Sequence, residues 1–216
     1  MSRTTRQLPV LLLTALLVSA ASVVFSLAAE IRWTNLSSKN SDLPAPGEST
    51  QQTANLIADF DKDGVKDFVL GFRVKAPALV WYRRTPDGWA RYVIEPQFLT
   101  VEAGGAACDI DGDGDLDIVF GGDWQSDEVW WWENPYPNFD PKISWKRHLI
   151  KKGGKTQHHD QVFGDFKGAG KAQLAFWNQG AKTLFLADIP AEPRTAFGAP
   201  VMSASECWRC APQLPM

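Results

Sequence analysis

Residues 109–121 read Asp109-Ile-Asp111-Gly-Asp113-Gly114-Asp-Leu-Asp117-Ile-Val-Phe-Gly121. Residues 59–71, at an offset of 50 (109 minus 59), read Asp59-Phe-Asp61-Lys-Asp63-Gly64-Val-Lys-Asp67-Phe-Val-Leu-Gly71. Both segments begin as an acidic turn that contains glycine and continue as a short apolar run, which is typical of a β-strand. Because they share one pattern, the sequence indicates an internal repeat.

The repeat extends beyond these two segments. At the same offset, Val80-Trp81-Tyr82 aligns with Trp130-Trp131-Trp132, and Trp89–Ile94 resembles Trp145–Ile150 further on. A third copy begins at Gly164-Asp165. The matches predict three units, over residues 53–101, 102–157 and 158–200, within a repeat region of residues 30–200.

The fold class follows from the strand-like character of these units. Short β-branched and aromatic runs alternate with Gly, Pro, Asn and Asp, and no helical periodicity of useful length follows the N-terminal segment. We predict an all-β chain of β-propeller blades, with three to four blades visible. Ile31-Arg-Trp33 is expected to be the last strand of a preceding or split unit. Within Trp130-Trp131-Trp132, core packing between sheets is favoured over a platform for sugars.

The N-terminus predicts export. Arg3 and Arg6 precede an uncharged stretch from Gln7 to Ala29, and small residues at Ser26 and Ala28 suit cleavage of a signal peptide over residues 1–29. An uncleaved membrane anchor is the alternative. Either reading places the chain in the periplasm, at the cell surface or outside the cell. The balance of Lys+Arg 22 against Asp+Glu 25 gives no reason to expect nucleic acid as a partner.

Three cysteines leave the redox state open. Export permits a disulfide, but an odd count leaves at least one of Cys108, Cys207 and Cys210 outside any intrachain pair. Residues 201–216 match no repeat, so they are treated as a separate tail.

The acidic turns have the spacing of calcium loops. Aspartates stand at loop positions 1, 3, 5 and 9, and Gly64 or Gly114 stands at position 6. An EF-hand would need Glu at position 12, but Leu70 and Phe120 stand there, in strand-like runs. Position 7, held by Val65 and Asp115, contributes its backbone carbonyl in such loops. The sequence therefore predicts two calcium sites on strand–loop–strand units.

The third loop has lost this pattern. It keeps Asp165 at position 1, but Lys167, Ala169 and Gln173 replace the other aspartates. We predict that this loop binds no metal and that the Lys167 ammonium acts as the local countercharge.

At these residues the chain resembles the FG-GAP and VCBS repeat family, which includes the propeller head of integrin α-subunits. The matching pieces are residues 58–67 and 108–117, each followed by an apolar strand that ends in glycine. The resemblance implies calcium loops within propeller blades. The ligands it implies are Asp59, Asp61, Asp63, Val65 and Asp67 for one ion, and Asp109, Asp111, Asp113, Asp115 and Asp117 for the second.

The resemblance covers residues 53–190, which contain fewer repeat units than a closed propeller has blades. Family propellers usually have seven blades, so the chain is either an incomplete seven-bladed propeller, a truncated product, or a subunit that completes the ring by self-association.

The predicted function is that of a binding or scaffold module with an extracellular protein or carbohydrate ligand. The alternative is a carbohydrate-active enzyme of the polysaccharide lyase type, or a fragment of one. In that case His158 and His159, expected at the start of an inner strand, are the candidate catalytic residues.

Overall fold

The computed structural model describes residues 31–196, and the fold belongs to the compact unit that begins at Leu36. The described chain is all-β, as predicted, with one 3-10 turn at Ser38–Asn40 and one short helix, α1, at Pro193–Ala196. The eleven strands of this region are β1 Gln52–Ala58, β2 Asp67–Phe72, β3 Leu79–Thr85, β4 Gly88–Glu95, β5 Ala106–Cys108, β6 Asp117–Gly121, β7 Val129–Glu133, β8 Lys146–Lys151, β9 His158–Gly164, β10 Gln173–Asn178 and β11 Thr183–Asp188.

The strands form three antiparallel sheets in which strands that are consecutive along the chain are neighbours. Sheet 1 has the order β1-β2-β3-β4, sheet 2 has the order β5-β6-β7-β8, and sheet 3 contains β9, β10 and β11. The register repeats as well, because Val69 lies opposite Trp81 in sheet 1 and Val119 lies opposite Trp131 in sheet 2. The sequence alignment therefore corresponds to equivalent positions in the two sheets.

Two apolar layers join the sheets. Val69 and Trp81 of sheet 1 share a buried cluster with Trp130 and Trp132 of sheet 2. Trp131 points to the other face of sheet 2 and packs in a second cluster with residues of sheet 3. All three tryptophans of this run are buried, which confirms that they form core and not a sugar platform.

The outer faces of sheets 1 and 3 differ. On sheet 1, Tyr82 donates a hydrogen bond from its hydroxyl to the Pro44 carbonyl at 2.7 Å. Leu43 packs against the apolar cluster that Tyr82 forms with Phe72 and Val80. On sheet 3, Val162 and Trp177 are exposed. A segment before β1 thus covers the outer face of sheet 1, whereas no residue among 31–196 covers Val162 and Trp177 on sheet 3.

The described residues include no strand before β1 and no membrane-spanning helix. Ile31-Arg-Trp33, expected to be a strand, has no regular structure, and Ile31 and Trp33 are exposed, so that prediction is wrong. None of the helices within residues 31–196 has the length and apolar character needed to cross a bilayer. The predicted signal peptide, the tail 201–216, Cys207 and Cys210 lie outside the described region, and within that region Cys108 is a free thiol.

Candidate metal centres

The two acidic loops occupy equivalent places. One connects β1 to β2 and the other connects β5 to β6, at the same end of sheets 1 and 2. Gly64 has a φ of 87° and Gly114 a φ of 93°, in the left-handed region that favours glycine. The glycine at position 6 therefore has the conformational role expected from the sequence.

Each loop brings three carboxylates together. Oxygens of Asp59, Asp61 and Asp63 lie within 4.8 Å of one another in the first loop. In the second loop the corresponding group contains Asp109, Asp111 and Asp117. The remaining predicted ligands, which are Val65, Asp67, Asp113 and Asp115, lie outside these two groups of close oxygens.

The loops are held by backbone hydrogen bonds to the aspartates. Asp59 accepts from the Gly64 N–H at 3.0 Å, and Asp109 accepts from the Gly114 N–H at 3.0 Å. Both bonds join position 1 to position 6, so the two turns close in the same way. A carboxylate that accepts N–H groups is fixed in place and keeps lone pairs that can bind a cation.

The aspartate at position 9 also connects the loop to the neighbouring strands. Asp67 accepts from the N–H of Phe60 at 3.4 Å and of Arg84 at 2.7 Å. Asp117 accepts from the N–H of Ile110 at 3.0 Å and of Asn134 at 2.9 Å. In the third loop, Gln173 does the same with its amide oxygen for the N–H groups of Phe166 and Lys167. The residue at position 9 therefore has a structural role that does not require a metal.

Two arginines that no sequence pattern singled out approach the clusters. Arg83, on β3, donates from Nε to Asp61. Arg194, on α1, donates from Nη2 to Asp111 at 2.5 Å and to Glu133 at 3.0 Å. Each guanidinium neutralises one carboxylate of a cluster, so an ion that enters the cluster competes with it for that oxygen.

The second loop crowds several buried carboxyl groups together. Asp115 is 3% exposed, and its Oδ1 has no hydrogen-bond partner within the described region. Burial, with the nearby Asp113 charge, raises the pKa of Asp115 to about 7. Burial also raises the pKa of Asp117 to about 8. A divalent cation would relieve the repulsion among these crowded carboxyl groups. Because all the candidate donor atoms are oxygens, they suit a hard cation such as Ca²⁺.

The third loop departs from the expected charge arrangement. The Asp165 carboxylate accepts from the N–H groups of Ala169 at 3.0 Å and Gly170 at 2.7 Å. Lys167 instead pairs with Asp188 at 2.6 Å. The prediction that Lys167 acts as the countercharge inside this loop is therefore wrong, because backbone N–H groups satisfy Asp165 and the lysine reaches β11.

The two candidate histidines lie at the opposite end of the sheets, at the start of β9 as predicted. His158 is fully buried, and its Nε2 lies 2.9 Å from Nδ2 of Asn178. His159 is partly exposed, with Nε2 3.7 Å from Oε2 of Glu102. Glu102 was not a candidate from the sequence, because its proximity to β9 depends on the packing of two sheets.

His158 makes stability depend on pH. Burial, aided by the nearby Lys151 charge, lowers the pKa of His158 from 6.5 to about 4. Its folded pKa lies below its unfolded pKa, so stability falls as pH drops from 6.5 towards 4, because only the unfolded chain binds the proton. We expect His158 to contribute a loss of about 3 kcal/mol over that range.

Urea unfolding at pH 7 and at pH 4 measures this effect. The difference between the two pH values should be smaller in His158→Gln than in the original protein, since glutamine does not titrate. Equal pH dependence in the two proteins would contradict the assignment.

A scan against models of known protein families finds no match, and a search of curated proteins finds none either. The resemblance to FG-GAP and VCBS repeats therefore rests on the two acidic loops and the strands that follow them.

Proposed function

We propose that this chain is an exported, calcium-binding β-propeller repeat protein of the FG-GAP/VCBS type. Its ions stabilise the loops of sheets 1 and 2, and the folded chain serves as a binding or scaffold module for a protein or glycan ligand. The observation that carries the proposal is the presence of two carboxylate clusters at equivalent places in two sheets with the same register.

The position of the clusters supports a structural role for calcium. Each loop joins the first two strands of its sheet, and its position-9 aspartate already ties the loop to the strands that follow. An ion at the cluster would hold Asp59, Asp61 and Asp63, or Asp109, Asp111 and Asp117, together against their mutual repulsion. Calcium thereby adds stability to the folded state and not to the unfolded chain.

The arrangement of the sheets supports the propeller architecture. Each of sheets 1 and 2 is a four-stranded meander, and successive sheets bury large apolar side chains between their faces. The exposed face of sheet 3, with Val162 and Trp177, is where a further blade or a second copy would pack. The signal peptide predicted over residues 1–29 supports export.

A calcium titration by calorimetry tests the proposal. The whole chain, purified in the form in which the cell exports it, should bind two equivalents of calcium. Asp61→Asn and Asp111→Asn should each remove one equivalent, because each removes a negative ligand from one cluster. Asp165→Asn is the matched control in the third loop and should still bind two equivalents.

The outcome that contradicts the proposal is equally specific. A titration without binding heat at either of two well-separated temperatures would contradict calcium binding, and an equal loss of binding in Asp165→Asn and Asp111→Asn would contradict the assignment of the sites.

A carbohydrate-active enzyme stays the second candidate because His159 and Glu102 lie 3.7 Å apart at the other end of the sheets. Turnover of a polysaccharide that is lost in His159→Ala would favour this candidate over a binding module.

A further inference from the structure

The third strand of each sheet places one charged residue beside the loop, at the register position opposite loop position 9. This residue is here called the facing residue, and the three facing residues are Arg83 on β3, Glu133 on β7 and Asp188 on β11. In sheet 3 the pairing is direct, because Asp188 lies opposite Gln173. In sheets 1 and 2 the facing residue directly follows the last paired residue of its strand, Tyr82 or Trp132. The charge at one structural position therefore differs in sign between the sheets.

In sheets 1 and 3 the facing residue neutralises the side chain at loop position 3. Arg83 donates from Nε to Asp61, whose side chain is 1% exposed. In sheet 3 both signs are reversed, since Lys167 stands at position 3 and its Nζ lies 2.6 Å from Oδ2 of Asp188. Each of these sheets thus forms a pair of opposite charges between its own loop and its own third strand.

Sheet 2 differs because both of the corresponding residues are acidic. Asp111 stands at loop position 3, and Glu133 is the facing residue. The cation between them is Arg194, whose Nη2 lies 2.5 Å from Oδ2 of Asp111 and 3.0 Å from Oε1 of Glu133. Arg194 belongs to α1, outside the sheet, and its side chain is 43% exposed. The second loop therefore takes its countercharge from a partly exposed side chain of a distant segment.

The remaining cations near the second loop are lysines at the surface. Nζ of Lys146 lies 3.8 Å from Oε2 of Glu133, and this lysine side chain is 68% exposed, so solvent and salt screen its charge. A Cβ atom on Gly114 would lie 4.0 Å from Nζ of Lys62, which places the ammonium of an exposed residue of the first loop beside the second loop. Neither lysine donates a hydrogen bond to the three clustered aspartates within residues 31–196.

The second loop also carries one more carboxyl group within its turn. Asp115 at loop position 7 is 3% exposed, and its Oδ1 has no partner within the described region, whereas the first loop has Val65 there. Residues 112–114 are exposed, so an ion can reach this turn from solvent. The affinity of a calcium loop depends on the number of charged groups around the ion, and the second loop has the larger number of acidic ones.

We propose that the facing residue sets the calcium affinity of its loop, so that the second loop binds calcium more tightly than the first. Glu133 adds negative charge beside the second cluster and attracts the ion, whereas Arg83 neutralises one carboxylate of the first cluster and repels it. Arg194 competes with the ion at the second cluster. This inference rests on the calcium role proposed above and adds the order in which the two loops fill.

A calcium titration followed by nuclear magnetic resonance of the whole, ¹⁵N-labelled chain measures the two loops separately. The chain is first freed of metal with a chelator. The amide signals of Gly64 and Gly114, both at loop position 6, report on the first and the second loop. Gly114 should reach half-saturation at a calcium concentration about tenfold or more below that of Gly64.

Substitutions at the facing residues test the cause of this difference. Arg83→Glu should tighten the first site by about tenfold or more, because it places a negative charge where a positive one stood. Glu133→Gln should weaken the second site by about threefold or more, since glutamine keeps the shape of glutamate without its charge. Arg194→Gln should tighten the second site. Asp188→Asn, at the facing position of sheet 3, is the matched control and should change neither site.

The outcomes separate this inference from the calcium role itself. Equal half-saturation of Gly64 and Gly114 in the original protein would overturn the inference and leave the calcium role in place. Unchanged affinities in both Arg83→Glu and Glu133→Gln would do the same. If Arg83→Glu fails to fold, Glu133→Gln decides alone, because it preserves the shape of a partly exposed side chain. A titration in which neither glycine signal shifts would refute the calcium role and this inference together.

Discussion

Replacing Trp131 with alanine should lower the free energy of unfolding by about 3–5 kcal/mol, the range for truncation of a large buried aromatic residue. Trp131 is 0% exposed and packs between sheets 2 and 3 with Leu174 and Phe176. Its ring stacks on His148 at 4.3 Å between centroids. Its indole N–H has no partner within the described region, so the loss is one of packing and not of a hydrogen bond.

Urea unfolding in calcium measures this effect, with Trp177→Ala as the matched control. Trp177 is on the open face of sheet 3 and is 38% exposed, so its truncation should cost clearly less. Equal losses in the two variants would mean that sheets 2 and 3 do not pack as described.

Calcium should produce the other large change in the free energy of unfolding. An ion that binds only the folded chain stabilises it by about 2.7 kcal/mol per site at a hundredfold excess over the dissociation constant, hence by about 5 kcal/mol for two independent sites. Both clusters lie on strand-connecting loops, so the gain should appear in the unfolding of the whole unit. Chemical unfolding with and without a chelator measures it, and stability that is unchanged by the chelator would contradict it.

The loops and strands could be predicted because their signals are local. The spacing of Asp109, Asp111 and Asp117 and the glycine at position 6 describe one turn, and the apolar run after it describes one strand. Alignment of Trp81 with Trp131 also predicted equivalent buried positions, since residues on one face of a strand share an environment. These features depend on neighbours within a few residues.

Contacts between distant segments could not be predicted in this way. Arg194 reaches Asp111 from α1, and Arg73 reaches Glu102 and Asp123 from the neighbouring sheet. The pairing of Lys167 with Asp188 instead of Asp165 has the same origin, because β11 brings a second carboxylate to the lysine. Such contacts depend on the tertiary packing of sheets and loops, and the spacing of residues along the chain carries no information about that packing.

Calcium held by the two acidic loops should stabilise the folded chain against heat. A thermal melt of the whole chain in excess calcium and in chelator tests it most directly, with Asp61→Ala/Asp111→Ala as the variant and Asp165→Ala as the control. We expect one cooperative transition that rises by several degrees with calcium in the original protein and in Asp165→Ala, and that loses most of this rise in the double variant. A cooperative melt that is indifferent to calcium in all three proteins would contradict the claim.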